Sequence, residues 1–211
     1  MMSAMDPPLH ERVYLGLKAD YLSGRFIPGK RIDIQDLANR YHSSKTPVRE
    51  AAFILLGEGL LTHHPDGGFL VPILKPRELI ELLAWHMQLL ITALSNVKET
   101  SLRRALQQHG IFGGQPLAAS LAVRATEIFS SIAEATGNRL ASFEVRRLNE
   151  RLHYSRIIDT TEPALAAREL AILTSMDVVN LPKATRRRVE AYHLRKIAYQ
   201  RKIIQAEIAP K

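Results

Sequence analysis

At 211 residues the chain is long enough for one large domain or two small ones, each with its own core. Its 46% hydrophobic, 24% charged and 6% aromatic residues exclude a disordered chain, and the absence of cysteine excludes disulfides, thiolate zinc sites, iron–sulfur clusters and thiol nucleophiles. The 29 Lys and Arg exceed the 21 Asp and Glu by a net +8, which favours a polyanionic partner.

That charge is unevenly placed. Residues 1–74 hold eight basic and eight acidic side chains, whereas in 183–202 eight basic residues face Glu190 alone. No apolar run reaches the roughly 20 residues of a membrane-spanning helix, since the longest, 79–94, is broken by Glu81, His86 and Gln88. The start, residues 1–10, lacks the basic and then apolar regions of a signal peptide, so a cytoplasmic location is expected.

In chain order, Leu9, Val13, Leu17 and Tyr21 predict a first helix, ended by Ser23-Gly24 and Pro28-Gly29. Asp33 stands as N-cap ahead of Ile34, Leu37, Ala38 and Tyr41, a short second helix broken at Ser43-Ser44. Ser44 as cap and Pro47 in the first turn open a third helix through Val48, Ala51, Ala52, Leu55 and Leu56, closed by Gly57 and Gly59. Residues 60–63 and 69–71 read as strands joined by the hairpin signal His64-Pro65-Asp66-Gly67-Gly68. Helix, helix, helix, hairpin is the winged helix-turn-helix order, with the third helix suited to the DNA major groove. Pro72 to Pro76 marks a linker. Beyond it the spacing of apolar residues predicts an all-α bundle of five to seven helices, with loops near 110–115, 137–138 and 180–183. The fold class expected is therefore mainly α, with a winged helix-turn-helix domain at 1–74 and a helical domain at 75–211.

Several motifs in this order carry a resemblance. Pro28-Gly29, Asp36-Leu37-Ala38, the run Ser44 to Ala51, Glu58-Gly59-Leu60 and Gly67-Gly68-Phe69-Leu70-Val71 resemble the DNA-binding domain of GntR-family transcription regulators. The helical remainder is similar to the ligand-sensing FCD domain of the FadR subfamily, through Phe129, Ala135-x-Gly137-Asn138 and the helix spacing. The resemblance implies a homodimer on a palindromic operator, more often a repressor, whose grip changes when a small metabolite such as an organic acid enters the helical domain. A two-fold dimer places its recognition helices a turn of DNA apart, or a multiple of it.

By the same resemblance Ser44, Lys45, Thr46 and Arg49 hold the contact positions of the recognition helix. Arg49 suits a guanine edge and Lys45 either phosphate or guanine, while Ser44 and Thr46 suit phosphate. The alternatives are a solvated Arg49 and simple capping by Ser44 and Thr46. Arg31 suits a backbone phosphate, and Gln35 stands where many relatives carry a basic residue. Gly67 and Gly68 suit a wing tip close to the duplex, where His63 and His64 either touch phosphate or form a plain exposed hairpin.

Many FadR-subfamily members hold a divalent metal through Asp-x-x-x-His and two later histidines, but the matching positions here are Thr126 and Ser130, so no metal and no cofactor are expected. Where the family places an effector-clamping arginine, this chain has His86, which opens the way to a different effector or to none. The candidates to line a bundle cavity are Trp85, His86, Arg124, Ser130, Arg146, Arg147, His153 and His193, each with core packing or an exposed face as the alternative. The basic stretch 183–202 reads either as a solvated helix or as an extra DNA-backbone contact.

Glycine-rich phosphate loops, G-x-S-x-G and H-E-x-x-H are absent from the sequence. An enzyme is therefore not expected, and a metal-dependent hydrolase built on His86, Glu127, His153 and His193 is the remaining version of that class. A third class is a constitutive DNA-binding dimer whose sensing site has decayed.

Overall fold

Val13, Leu17 and Tyr21, spaced one turn apart, form the buried face of the first helix, α1 (Leu9–Leu22). In the second, α2 (Ile34–Arg40), Asp33 caps the start by accepting from the amides of Gln35 and Asp36 at 2.8 and 3.1 Å. The third, α3 (Lys45–Gly57), buries Val48, Ala51, Ala52 and Leu55 against α1 and α2. Ser44 occupies its N-cap position, but the hydroxyl expected to cap makes no capping hydrogen bond. This computed structural model describes residues 7–110 and 115–208, so positions 1–6, read above for a leader, and 111–114 of the expected loop lie outside the described residues.

The turn between α2 and α3 is closed by paired bonds, from the His42 amide to Asn39 O at 3.2 Å and from the Ser43 amide to Ala38 O at 2.9 Å. Such a Schellman closure requires a left-handed residue, and His42 supplies it at φ +49°. Glycine has that role where α1 and α3 end, at Gly24 and Gly59.

A hairpin follows, β1 (Thr62–His63) and β2 (Phe69–Leu70), antiparallel with Thr62 opposite Leu70 and His63 opposite Phe69. The ladder is shorter than the expected runs because Leu60 and Leu61 are buried and their amides bond back to Leu55 O. Arg31 bridges to Leu70, and the Ile32 amide donates to Phe69 O at 2.8 Å, so the strand-like segment before α2 widens the wing.

Behind these helices Asp20, only 8% exposed, gathers three partners. Arg40 Nε lies at 2.9 Å, the Tyr41 hydroxyl donates at 2.8 Å, and Arg25 Nε stands at 3.7 Å. Burial, and then the adjacent carboxylate, raise the pKa of the Tyr41 hydroxyl. The Tyr41 ring crosses Gly16 so closely that a Cβ there would stand 3.1 Å from it.

The chain divides into two compact units, Met1–Ile73 and Leu74–Lys211. In the second the described residues form seven helices: α4 (Pro76–Leu94), α5 (Glu99–Gln107), α6 (Ala118–Glu134), α7 (Arg139–Arg151), α8 (His153–Ile158), α9 (Pro163–Thr174) and α10 (Leu181–Ile208). Helix α10 packs along α4, while α6 meets α7, α8 and α9. Their main core includes Leu90, Leu102, Ile128, Phe129, Ile132 and Leu173, and a smaller one unites Leu79, Leu83, Leu148, Leu152 and Ile197. The mainly helical fold, with helix-turn-helix first and helical bundle after, is the one the sequence predicts. One boundary differs: the loop expected at 180–183 is already the start of α10. Asn180 Oδ1 accepts from the Lys183 amide at 3.0 Å, and Pro182 sits in the first turn, where its missing N–H costs no hydrogen bond.

Asp20→Ala leaves the Arg40 and Tyr41 donors without their acceptor and should lower stability by about 2–3 kcal/mol in denaturant unfolding. At the turn, His42→Val should cost about 1–2 kcal/mol, whereas His42→Gly should leave the midpoint unchanged or raised. A valine variant as stable as the wild type would contradict the strain assigned to this position.

Candidate functional site

Burying one face of α3 leaves Lys45, Arg49 and Phe53 in a row along the opposite one, four residues apart and all exposed. These three line a concave surface together with Arg31, Gln35, His63 and Gly68, so the third helix, the start of the second and the wing meet there. Arg31 lies over Gly68: a Cβ at Gly68 would come 3.1 Å from Arg31 Nε, and the backbone there has φ +87°. Glycine is thus required both by space and by conformation. Gln35 is exposed and donates from Nε2 to Asn39 Oδ1 at 2.9 Å.

The charge on this surface is uncompensated. Among the described residues no carboxylate pairs with Arg31, Lys45 or Arg49, while Arg25 and Arg40 are held by Asp20 and Lys18 by Glu58 at 3.1 Å. The zero net charge of residues 1–74 therefore hides a free basic face. At the start of α3, Ser44 and Thr46 are exposed beside Lys45, and the helix dipole and first-turn N–H groups add partial positive charge.

At the wing tip His64 folds inward. Its Nδ1 accepts from the Asp66 amide at 3.1 Å, its own amide donates to Gly68 O, and its carbonyl accepts from Gly67 N. Gly67 is exposed, with φ +84° and open space where a Cβ would stand. His63 instead stacks on Phe69 with ring centroids 5.8 Å apart, and Phe53 meets Phe69 edge-on at 5.0 Å. Phe53 was not among the candidates read from sequence, and its place four residues beyond Arg49 on the polar face was the available signal.

The basic stretch of α10 divides in use. Arg188 donates to Ser175 O, and Arg195 and Lys196 pair with Glu169 at 2.7 and 3.7 Å. Lys183, Arg186, Arg187, Arg201 and Lys202 are exposed.

Inside the helical unit a polar seam crosses the apolar core. His193 Nδ1 lies 2.7 Å from Val189 O, a pure acceptor, so it carries the proton; His193 Nε2 then accepts from His86 Nδ1 at 2.8 Å. The Phe129 ring stands 5.1 Å from His86 and 5.3 Å from His193, with the Arg156 guanidinium over it at 5.4 Å. Arg156 donates to Thr126 Oγ1 at 3.0 Å and to Asn149 Oδ1 at 2.8 Å, and Asn149 Nδ2 donates to Ser130 Oγ at 3.1 Å.

Of the pocket candidates, His86, His153 and His193 are thus buried, and half-buried Ser130 joins the same network. Trp85 is 55% exposed, half-buried Arg124 donates to Gly110 O, and Arg146 and Arg147 are exposed and pair with Glu134 and Glu144. Asn149, Arg156 and Tyr192 were not read from the sequence. Val145, Asn149, Leu152 and Arg156 recur at helical spacing, and polar residues on an apolar stripe were the signal. No three His, Asp or Glu converge in metal-binding geometry among the described residues, and Glu127 of the alternative ligand set is exposed.

Burial holds all three histidines neutral: it lowers His86 well below its ordinary range, lowers His193, and takes His153 down to about 4, each with a further push from the Arg156 charge. The unfolded chain binds protons at these groups from about pH 6.5 downward, so their stabilisation is complete above that pH and is lost toward pH 4. His153 alone contributes on the order of 3 kcal/mol to this loss. Denaturant midpoints should be flat between pH 7 and 8 and fall below 6.5, with a shallower fall in His153→Gln.

The model of the bacterial regulatory proteins of the gntR family matches residues 9–71. The chain is 25% identical over 164 residues to the HTH-type transcriptional regulator YdhC of Bacillus subtilis, covering 73% of this chain and 72% of that protein. It is 26% identical over 161 residues to the Nta operon transcriptional regulator of Aminobacter aminovorans, covering 74% and 77%. The structure of E. coli McbR/YncC shares its fold over 94% of this chain and 100% of that one, with a TM-score of 0.65 at 20% identity. With the helix-turn-helix, wing and free basic face, residues 9–71 form a DNA-binding domain of the gntR type, and the chain is a DNA-binding transcriptional regulator.

Proposed function

We propose that this regulator acts in the cytoplasm as a metabolite-responsive repressor, a homodimer on a palindromic operator. Residues 1–74 bind DNA, and residues 75–211 form an FCD-like sensing and dimerisation domain of the FadR subfamily. The observation that carries the reading is the uncompensated pair Lys45 and Arg49, one turn apart on the exposed face of α3, with Arg31 beside them at the wing. Arg49 reads a guanine edge with its planar fork, Lys45 reads guanine or phosphate, and Arg31, Ser44 and Thr46 hold the backbone. Gly67 and Gly68 bring the wing close to the duplex, while Gln35 adds a neutral contact from α2. The seam of His86, Ser130, His153 and His193 belongs to the sensing domain.

A second reading, constitutive DNA binding with a decayed sensor, is favoured by the hydrogen bonds that already engage His86 and Ser130 inside the protein. Titration of organic acids against operator affinity separates the two, because only a sensor changes its grip.

Selection of bound fragments from a genomic library should recover a palindrome. Arg49→Ala should then cost about 1–3 kcal/mol on the selected site and relax discrimination at one base position in each half-site. Lys45→Ala should weaken binding to all sequences and reduce the slope of log affinity against log salt by about 1 if its partner is a phosphate. Sequence-indifferent binding that Arg49→Ala leaves unchanged would overturn the assignment of this face.

A further inference from the structure

Phe53 continues the row of Lys45 and Arg49 by one more turn of α3, and it is 55% exposed on the concave basic face. The other large apolar side chains lining that surface, Ile32, Ile34 and Phe69, are buried or half-buried. The Phe53 ring is also braced. Phe69 meets it edge-on with centroids 5.0 Å apart and planes at 86°, and His63 stands 6.3 Å away at 65°. These contacts from the wing hold the ring beside the two cations, with about half of the residue left open.

A duplex seated on this face covers that apolar surface. Phosphates and most atoms of the base edges are hydrogen-bonding groups, and an aromatic ring pressed on them strips their water and returns no hydrogen bond. The thymine C5-methyl is the apolar group that the major groove offers, and the other three bases carry none. We propose that Phe53 is a specificity-determining residue that packs its ring on a thymine methyl in each half-site. The proposal rests on the reading that this face of α3 meets the bases, and it adds an apolar contact to the acceptors that Lys45 and Arg49 seek. Four residues of helix rise about 6 Å and stacked base pairs stand about 3.4 Å apart, so the thymine lies within about two base pairs of the position that Arg49 reads.

The test uses the full chain and the operator recovered by fragment selection, with each thymine replaced in turn, in both half-sites together, by deoxyuridine. That change deletes the methyl and keeps the base pair. Wild-type protein should lose about threefold to tenfold in affinity at one thymine position, close to the base whose discrimination Arg49→Ala relaxes. Phe53→Ala should bind the thymine and deoxyuridine duplexes equally, and Phe53→Leu, which keeps an apolar side chain against Phe69, should retain part of the difference. A wild type indifferent to deoxyuridine at every position overturns the proposal without recourse to any variant. So does a methyl preference that survives in Phe53→Ala, which would belong to the shape of the duplex or to another side chain. A selected palindrome that answers to Arg49→Ala but not to deoxyuridine would leave base reading by α3 standing and sink the thymine contact. Sequence-indifferent binding by the wild type would sink both.

Discussion

A cation drawn out of water has to be matched by acceptors, and where each one finds them organises this chain. In the first unit Asp20 receives Arg25 and Arg40, and Glu58 receives Lys18, so the carboxylates nearest the helix packing are already engaged. The same contacts tie α1 to the end of α2 and to the end of α3, fixing the angle at which α3 is presented. Lys45 and Arg49 on the opposite side of that helix and Arg31 at the wing have no such carboxylate, and a polyanion can reach them there. In the helical unit Glu169 and Glu134 similarly occupy nearby cations, and Arg156 is left inside with neutral partners alone.

The winged helix-turn-helix was legible because its signals are local. Asp33 caps, Gly59 closes, and Gly67-Gly68 turns the hairpin, each through backbone geometry that a few residues determine. The turn between α2 and α3 was less legible, since its left-handed residue is His42, a side chain that tolerates that conformation without announcing it. Leu60 and Leu61 read as strand, but both are buried with their amides bonded back to Leu55 O, a tertiary outcome that their local pattern does not encode. In the helical unit, periodicity located the apolar stripes but could not pair them. The meeting of His86 with His193 spans 107 positions of sequence, and neither residue's neighbours encode it. Arg156 escaped for a related reason: an arginine on an apolar stripe reads as a side chain that reaches solvent until the surrounding helices close over it.

The polar seam has a structural effect apart from any ligand. Leucine-rich helix surfaces are tolerant of small slips, whereas hydrogen bonds between fixed donors and acceptors are not. His86 on α4, Thr126 and Ser130 on α6, Asn149 on α7, Arg156 on α8 and His193 on α10 each have partners at one relative position of these helices. A turn's displacement of α10 along α4 would part His193 from His86 and leave His193 Nε2 and His86 Nδ1 without each other in an apolar surround. The network thus favours one alignment of the bundle over its near neighbours, at the cost of the pH sensitivity that buried neutral histidines bring.

Helix α10 runs uninterrupted for 28 residues, about 42 Å at the usual rise per residue, and Tyr192 and His193, packed against Phe129, stand near its middle. A rod held near its centre behaves as a lever with two arms. A tilt of about 5° about that point carries either end through about 2 Å, a distance comparable to the spacing that separates a formed hydrogen bond from a broken one. Movement too small to disturb the leucine packing around Tyr192 is therefore magnified at both tips of the helix.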